Sequence, residues 1–219
     1  MCDPESGSPP KNVPRTEARR LLVGRGRFID TLTLPRLLHL AFVRSPVAHA
    51  TLNHVEVEEA KSMPGIARVI VGAQFSPFIA EIPKTKLDTI PGHNSPSQPP
   101  LVENHIRYQG EPVAVVAAET LAQAEDAAAK IRLDYSELPP VSTFQAAATD
   151  DANIASELEI GHGIPEDAMT IRLEAQFSFG RQTGVTLEPR GIVVDYDELA
   201  DELTVWQSHQ SPHLVQVLL

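Results

Sequence analysis

Two histidines five residues apart, His49 and His54, are the first side chains along this chain whose type suits a metal. The residues around them alternate like a strand, which sends positions five apart to opposite faces, and no third ligand follows at a usable spacing. The pair is therefore expected to hold no metal. Glu188 has the chemistry of a general acid or base, but Pro189 beside it lacks a backbone donor. It is expected to fix a strand entry through hydrogen bonds, with Arg190 available as a partner. Gly24-Arg25-Gly26 matches half of a dinucleotide-binding fingerprint. No strand precedes it and no helix or acidic partner follows in register, so it reads as a tight turn. The acidic run Asp197 to Glu202 reads as a solvated hairpin loop rather than a cation site. Gln182, beside Arg181 and close to Gly184, is by residue type alone a surface amide at a strand end. Tyr108, Phe177, Phe179 and Trp206 lie in strand patterns and are expected in the core rather than as a stacking platform.

Bulk properties narrow the classes further. With 219 residues the chain has room for one complete domain and a small or partial second one. A formal net charge of −11 argues against nucleic acid, whose phosphates demand a basic face. No apolar run approaches the length needed to span a bilayer, and no membrane partner is expected. The one cysteine, Cys2, lies in a polar, proline-rich terminus, which excludes a disulfide scaffold or cysteine-ligated cluster within these residues.

The elements that must position these side chains follow from periodicity. Val113 to Ala117 is a short apolar run punctuated by Gly110 and Pro112, the pattern of a strand buried on both faces. Thr120 with Gln123 predicts a capping box, after which Leu121, Ala124, Ala128 and Ile131 recur at helical spacing. Ile131, Leu133 and Tyr135 then alternate with polar residues, so the unit is strand, helix, strand. Earlier strands are expected over Leu37 to Val43, His49 to Val57 and Ile66 to Val71, with a helical turn over Glu58 to Met63 stopped by Pro64-Gly65. Residues 75 to 100 form a long proline-rich loop. Thr170 to Phe179 alternates cleanly and predicts a long half-buried strand, followed by strands over Gly191 to Asp195 and Leu203 to Trp206. Ser211 and Pro212 predict the start of a helix whose apolar side has nothing to meet, which suggests a sequence stopping inside a structural element.

Three segments together resemble one family. Residues 107 to 135, containing Gly110-Glu111-Pro112-Val113-Ala114-Val115-Val116-Ala117, resemble the α/β-hammerhead domain of the molybdenum-binding subunit in the xanthine dehydrogenase, aldehyde oxidase and aerobic carbon monoxide dehydrogenase family. Arg20 to Asp30, with Leu38 to Pro46 and His49-Ala50, resembles the opening of that domain. Leu187-Glu188-Pro189-Arg190-Gly191, with Leu203 to Ser208 and Gln210 to His213, resembles the start of the molybdopterin-binding region.

The resemblance implies an α+β fold, with a disordered tail over 1–14, a hammerhead domain over 15–140, a linker over 141–167, and the start of a molybdopterin-binding domain over 168–219. It implies oxidative hydroxylation of an aldehyde, a purine or other N-heterocycle, or carbon monoxide, copper being present in some carbon monoxide-oxidising members. It also implies a cytoplasmic heterotrimeric complex, itself dimerised, in which iron–sulfur and FAD subunits carry 2Fe–2S centres and flavin. The cofactor would be molybdenum-molybdopterin in its cytosine dinucleotide form. In the family a glutamine six residues before the glutamate of the L-E-P motif hydrogen-bonds an oxygen ligand of the molybdenum, and Gln182 stands at that interval from Glu188. Thr183-Gly184-Val185 is closer to the carbon monoxide dehydrogenase-like branch. The family's glycine-rich G-G-x-F-G-G loop and its downstream catalytic glutamate are not among these residues. The sequence is accordingly expected to be the amino-terminal portion of a longer enzyme, holding no catalytic residue and, by itself, no cofactor. The alternative is a standalone, non-catalytic hammerhead module for subunit interaction or assembly.

Overall fold

The computed structural model describes residues 15–82, 98–149, 173–180 and 182–219. They divide into two compact units, one spanning Pro35–Phe177 and the other joining residues up to Leu34 with Ser178–Leu219. The architecture is α+β.

The first unit is built around β5 (Pro112–Ala118), the run read as buried on both faces. β1 (His39–Arg44) and β3 (Ile66–Val71) flank it, both antiparallel, with Ala41 and Val69 opposite Val116. Val113, Ala114, Val116 and Ala118 are fully buried. Alanine is frequent there because a helix must approach the strand closely: α4 (Leu121–Ala128) packs Ala124 against Ala41 and Ala118, and Ala127 against Ala114 and Val116. The buried stripe of α4 is thus Ala124 and Ala127. Leu121, expected on it, is exposed, and Ile131 reaches the core from beyond the helix end.

Thr120 caps α4 as expected, its side chain accepting the Gln123 backbone N–H at 3.3 Å. The reciprocal half of the box differs. The Gln123 amide oxygen accepts the Thr120 hydroxyl at 2.8 Å and does not engage the Thr120 backbone.

A second sheet runs in the order β4 (His105–Ile106), β2 (Ala50–Glu56), β6 (Arg132–Glu137). Leu52 lies opposite Tyr135 and Val55 opposite Leu133, all antiparallel. The strand–helix–strand unit therefore does not return to its own sheet: β5 belongs to the first and β6 to the second. Val113 packs with Ala50, Leu52, Val102 and Ile106, which ties the two sheets together. α2 (Glu58–Lys61) and α3 (Gly72–Phe75) are single turns flanking β3. Gly65, at φ 78°, ends the segment after α2 in a left-handed conformation that a β-carbon disfavours. α5 (Phe144–Ala147), capped by Thr143, lies inside the stretch read as irregular linker; the rest of that linker from residue 150 and the proline-rich loop over 83–97 fall outside the described residues.

The second unit contains α1 (Ala18–Leu22), a 3₁₀ turn at Ile29–Thr31, and the hairpin of β7 (Ile192–Asp197) and β8 (Glu202–Gln207), followed by α6 (Pro212–Leu218). The hairpin agrees with the sequence reading, including its acidic turn. Several expectations fail. Residues 173–180 form no strand, and Phe177 and Phe179 are about four-fifths exposed (80% and 84%), because no strand among the described residues pairs with them. Ser211 does not cap α6 with its side chain; its backbone N–H instead donates to Nδ1 of His209 at 2.9 Å. Tyr108, also expected in the core, is 45% exposed, set in the turn that leads to Gly110. Among the described residues no helix is long and apolar enough to cross a membrane.

Candidate functional site

The segment 182–191 carries the side chains with the most chemistry, and the structure gives two of them opposite surroundings. Glu188 is an anchor. Its Oε1 accepts the Ile29 backbone N–H at 3.0 Å, its Oε2 accepts the Ser208 hydroxyl at 3.1 Å, and its own carbonyl accepts the Thr186 hydroxyl at 2.7 Å. Arg190, its expected ionic partner, makes no ion pair with it among the described residues. A backbone donor and a hydroxyl satisfy the carboxylate, which makes it a structural staple between the 3₁₀ turn and the end of β8. Gly191 completes the joint: a β-carbon there would lie 2.7 Å from Cγ2 of Ile29, so a larger residue would have to push the Ile29 side chain aside. The motif Leu187 to Gly191 thus grips the segment Arg20 to Asp30, a pairing that neither motif announces by itself.

Gln182 is the contrary case. It lies outside any helix or strand, exposed, and among the described residues its amide has no hydrogen-bond partner. A β-carbon added at Gly180 or Gly184 would meet nothing within 4 Å. An unpaired neutral amide between two glycines fits a ligand that must come close to the backbone, because such a group can donate and accept without adding charge. The acidic turn behaves as a turn: Asp197 Oδ1 accepts the backbone N–H groups of Leu199 and Ala200, and the Tyr196 hydroxyl donates to Asp201 at 2.7 Å. That hydrogen bond, more than burial, raises the pKa of Tyr196. A groove of about 440 Å³ between β8 and α6, lined by Leu203, Val205, His209, Pro212 and Val215 among others, does not include Gln182.

His49 and His54 part company. His54 lies beside Glu56, with Nε2 and Oε2 separated by 3.8 Å. His49 turns to a residue that the sequence analysis passed over, His105 on β4, with the two Nε2 atoms 3.1 Å apart. No local pattern could have joined them, since the contact depends on β4 pairing with the start of β2. Burial, then the neighbouring His49 and Arg107, hold the His105 pKa below its ordinary value, with Glu111 opposing.

Two domain families match in sequence. Residues 23–139 match the aldehyde oxidase and xanthine dehydrogenase a/b hammerhead domain, and residues 146–219 match the molybdopterin cofactor-binding domain. The nicotine 6-hydroxylase large subunit of Paenarthrobacter nicotinovorans is 32% identical, the alignment covering 100% of this chain and 29% of that protein. The carbon monoxide dehydrogenase large chain of Afipia carboxidovorans is 27% identical over 94% of this chain and 28% of its own. Among solved structures, quinoline 2-oxidoreductase from Pseudomonas putida 86 superposes with a TM-score of 0.84 at 34% identity, over 94% of this chain and 27% of that one. The chain therefore spans less than a third of the length of these relatives. With both domain families matched in order along the sequence, the chain belongs to the aldehyde oxidase and xanthine dehydrogenase family and pairs its a/b hammerhead domain with molybdopterin cofactor-binding sequence.

Proposed function

We propose that these residues serve the molybdenum-binding subunit of a molybdenum hydroxylase that acts on an N-heterocycle. The observation that carries the reading is the unpaired Gln182 amide in the region matching the cofactor-binding family, six residues ahead of the Glu188 anchor. Support for a heterocyclic substrate comes from two relatives above 30% identity, one named for nicotine and one for quinoline. The carbon monoxide dehydrogenases, at 27% and 24%, support the family and the fold.

Molybdopterin, when bound, supplies the oxidation chemistry. The chain's part would be to hold the segment 182–187 in place and to present the Gln182 amide toward the metal's ligands, fixing their orientation without competing for the metal. Glu188 does not enter the reaction; it keeps the segment registered on Ile29 and Ser208. Iron–sulfur and FAD subunits complete the proposed cytoplasmic complex and receive the electrons, and the cofactor is taken as the cytosine dinucleotide form.

The test is Gln182→Ala in the holoenzyme that contains this sequence. Turnover should fall by a factor on the order of 10 to 100, the range for loss of a group that orients a metal ligand, while molybdenum content and fold stay intact. Wild-type turnover at full metal occupancy would leave Gln182 an ordinary surface amide, for which a stability change within about 0.5 kcal/mol is the only consequence.

A further inference from the structure

We propose that His49 and His105 form a two-histidine chelate for a borderline divalent cation such as Zn²⁺ or Cu²⁺. The two Nε2 atoms are 3.1 Å apart, with the rings edge-on at 73° and their centroids 5.1 Å apart. Two nitrogens bound tetrahedrally at the usual Zn–N length stand about 3.3 Å apart, so to hold a cation the pair opens by a few tenths of an ångström and each ring turns to aim its lone pair at an ion beside the N···N line rather than along it.

The protonation pattern suits a ligand. Nδ1 of His49 lies 2.8 Å from the Pro139 carbonyl, which can only accept, so Nδ1 carries the hydrogen and Nε2 presents its lone pair toward His105. A ring N–H donated to a backbone carbonyl is the usual support behind a metal-bound histidine. In the metal-free chain His105 donates its Nε2 proton to that lone pair. A cation takes the place of this proton while His105 moves its own to Nδ1.

The scaffold is fixed. The Leu138 N–H donates to the His49 carbonyl at 2.9 Å, and His105 sits in register with Thr51 of β2. Both rings are half-buried, so a cation can enter and keep water ligands. Arg107 would repel a cation, but the buried Glu111 carboxylate, 3.9 Å from the guanidinium, offsets it. Among the described residues no three histidine, cysteine, aspartate or glutamate side chains converge, so water fills the remaining positions and the site is exchangeable rather than structural. Nitrogen donors select Zn²⁺, Cu²⁺ or Ni²⁺ over Mg²⁺ and Ca²⁺. A bound ion would clamp β4, the entry to β2 and the segment after β6 at one point.

The test is Zn²⁺ competition against a chromophoric chelator on the metal-stripped 219-residue chain. The wild type should take up one equivalent with micromolar affinity, and His105→Gln should weaken it on the order of 10- to 100-fold, the loss of one arm of a preorganised chelate. His54→Gln should change nothing, and Cu²⁺ electron paramagnetic resonance should show two nitrogen ligands in the wild type and one in His105→Gln. His49 also holds Pro139, so His105, on a two-residue edge strand, is the deciding position. No uptake by the wild type, or equal affinity in a folded His105→Gln chain, overturns the proposal.

Discussion

Replacing Glu188 with alanine should loosen one joint and leave the first unit untouched. The carboxylate accepts one backbone and one hydroxyl hydrogen bond, at 3.0 and 3.1 Å, and the Ile29 amide has no other acceptor among the described residues. A hydrogen bond to a charged acceptor contributes about 1.5–3 kcal/mol when desolvated; here the site is only partly buried and water can replace part of the loss, which leaves about 1–2 kcal/mol. That is roughly a 5- to 30-fold change in a local opening equilibrium. Amide hydrogen exchange at Ile29, measured on the whole chain, reads this opening directly, and its rate should rise by that factor in Glu188→Ala. Glu188→Gln keeps a neutral acceptor and should fall between the two. Arg190→Ala should have no effect, since Arg190 makes no ion pair with Glu188 among the described residues. An Ile29 amide that exchanges at the free-chain rate in the wild type, or one indifferent to Glu188→Ala, would refute the staple.

Gly72→Ala should cost about 3 kcal/mol, read as a lower urea midpoint, because the new β-carbon would collide with the Val102 and Leu101 backbone, which cannot swing aside; an unchanged midpoint would show that this joint relaxes freely. Asp201→Asn should move the phenolate titration of Tyr196, followed by ultraviolet absorbance, to lower pH, and asparagine tolerates the left-handed conformation at φ 53°. The sign follows from the raised folded-state pKa: the phenol contact stabilises the hairpin below the ordinary tyrosine pKa and is lost as pH rises through the folded value. Identical titrations in the two proteins would remove Asp201 as the cause.

The parts of the fold legible in sequence are those whose signals are local. The β5 run, the Thr120 cap, the stop at Gly65 and the β7–β8 hairpin each follow from a few consecutive residues, and each is present. Sheet membership is not a local property. Alternation in Arg132–Glu137 specifies that β6 has a buried side, but the same alternation would serve either sheet, and pairing with β2 decides between them. The segment 173–180 shows the limit most clearly, since its alternating Leu173, Ala175, Phe177 and Phe179 define an apolar face without defining what covers it.

The same distinction separates the two site residues of the Leu187 to Gly191 neighbourhood. Proline after Glu188 marks an element boundary, so a structural role was readable, yet its partners Ile29 and Ser208 lie 159 and 20 residues away and no spacing encodes them. Arg190, the neighbour that spacing does suggest, is the wrong partner, because a backbone N–H brought by the 3₁₀ turn is already fixed in place, whereas a long arginine side chain must lose rotamer freedom to make an exposed pair of little worth. Gln182 is the converse. Its six-residue interval from Glu188 marks it out, and what a single sequence cannot express is that its amide makes no hydrogen bond among the described residues. The carboxylate at one end is anchored, and the amide at the other is exposed with no hydrogen-bond partner among the described residues. The proposed role for Gln182 requires such a group, since an amide that orients a ligand has to be left unsatisfied by the protein that carries it.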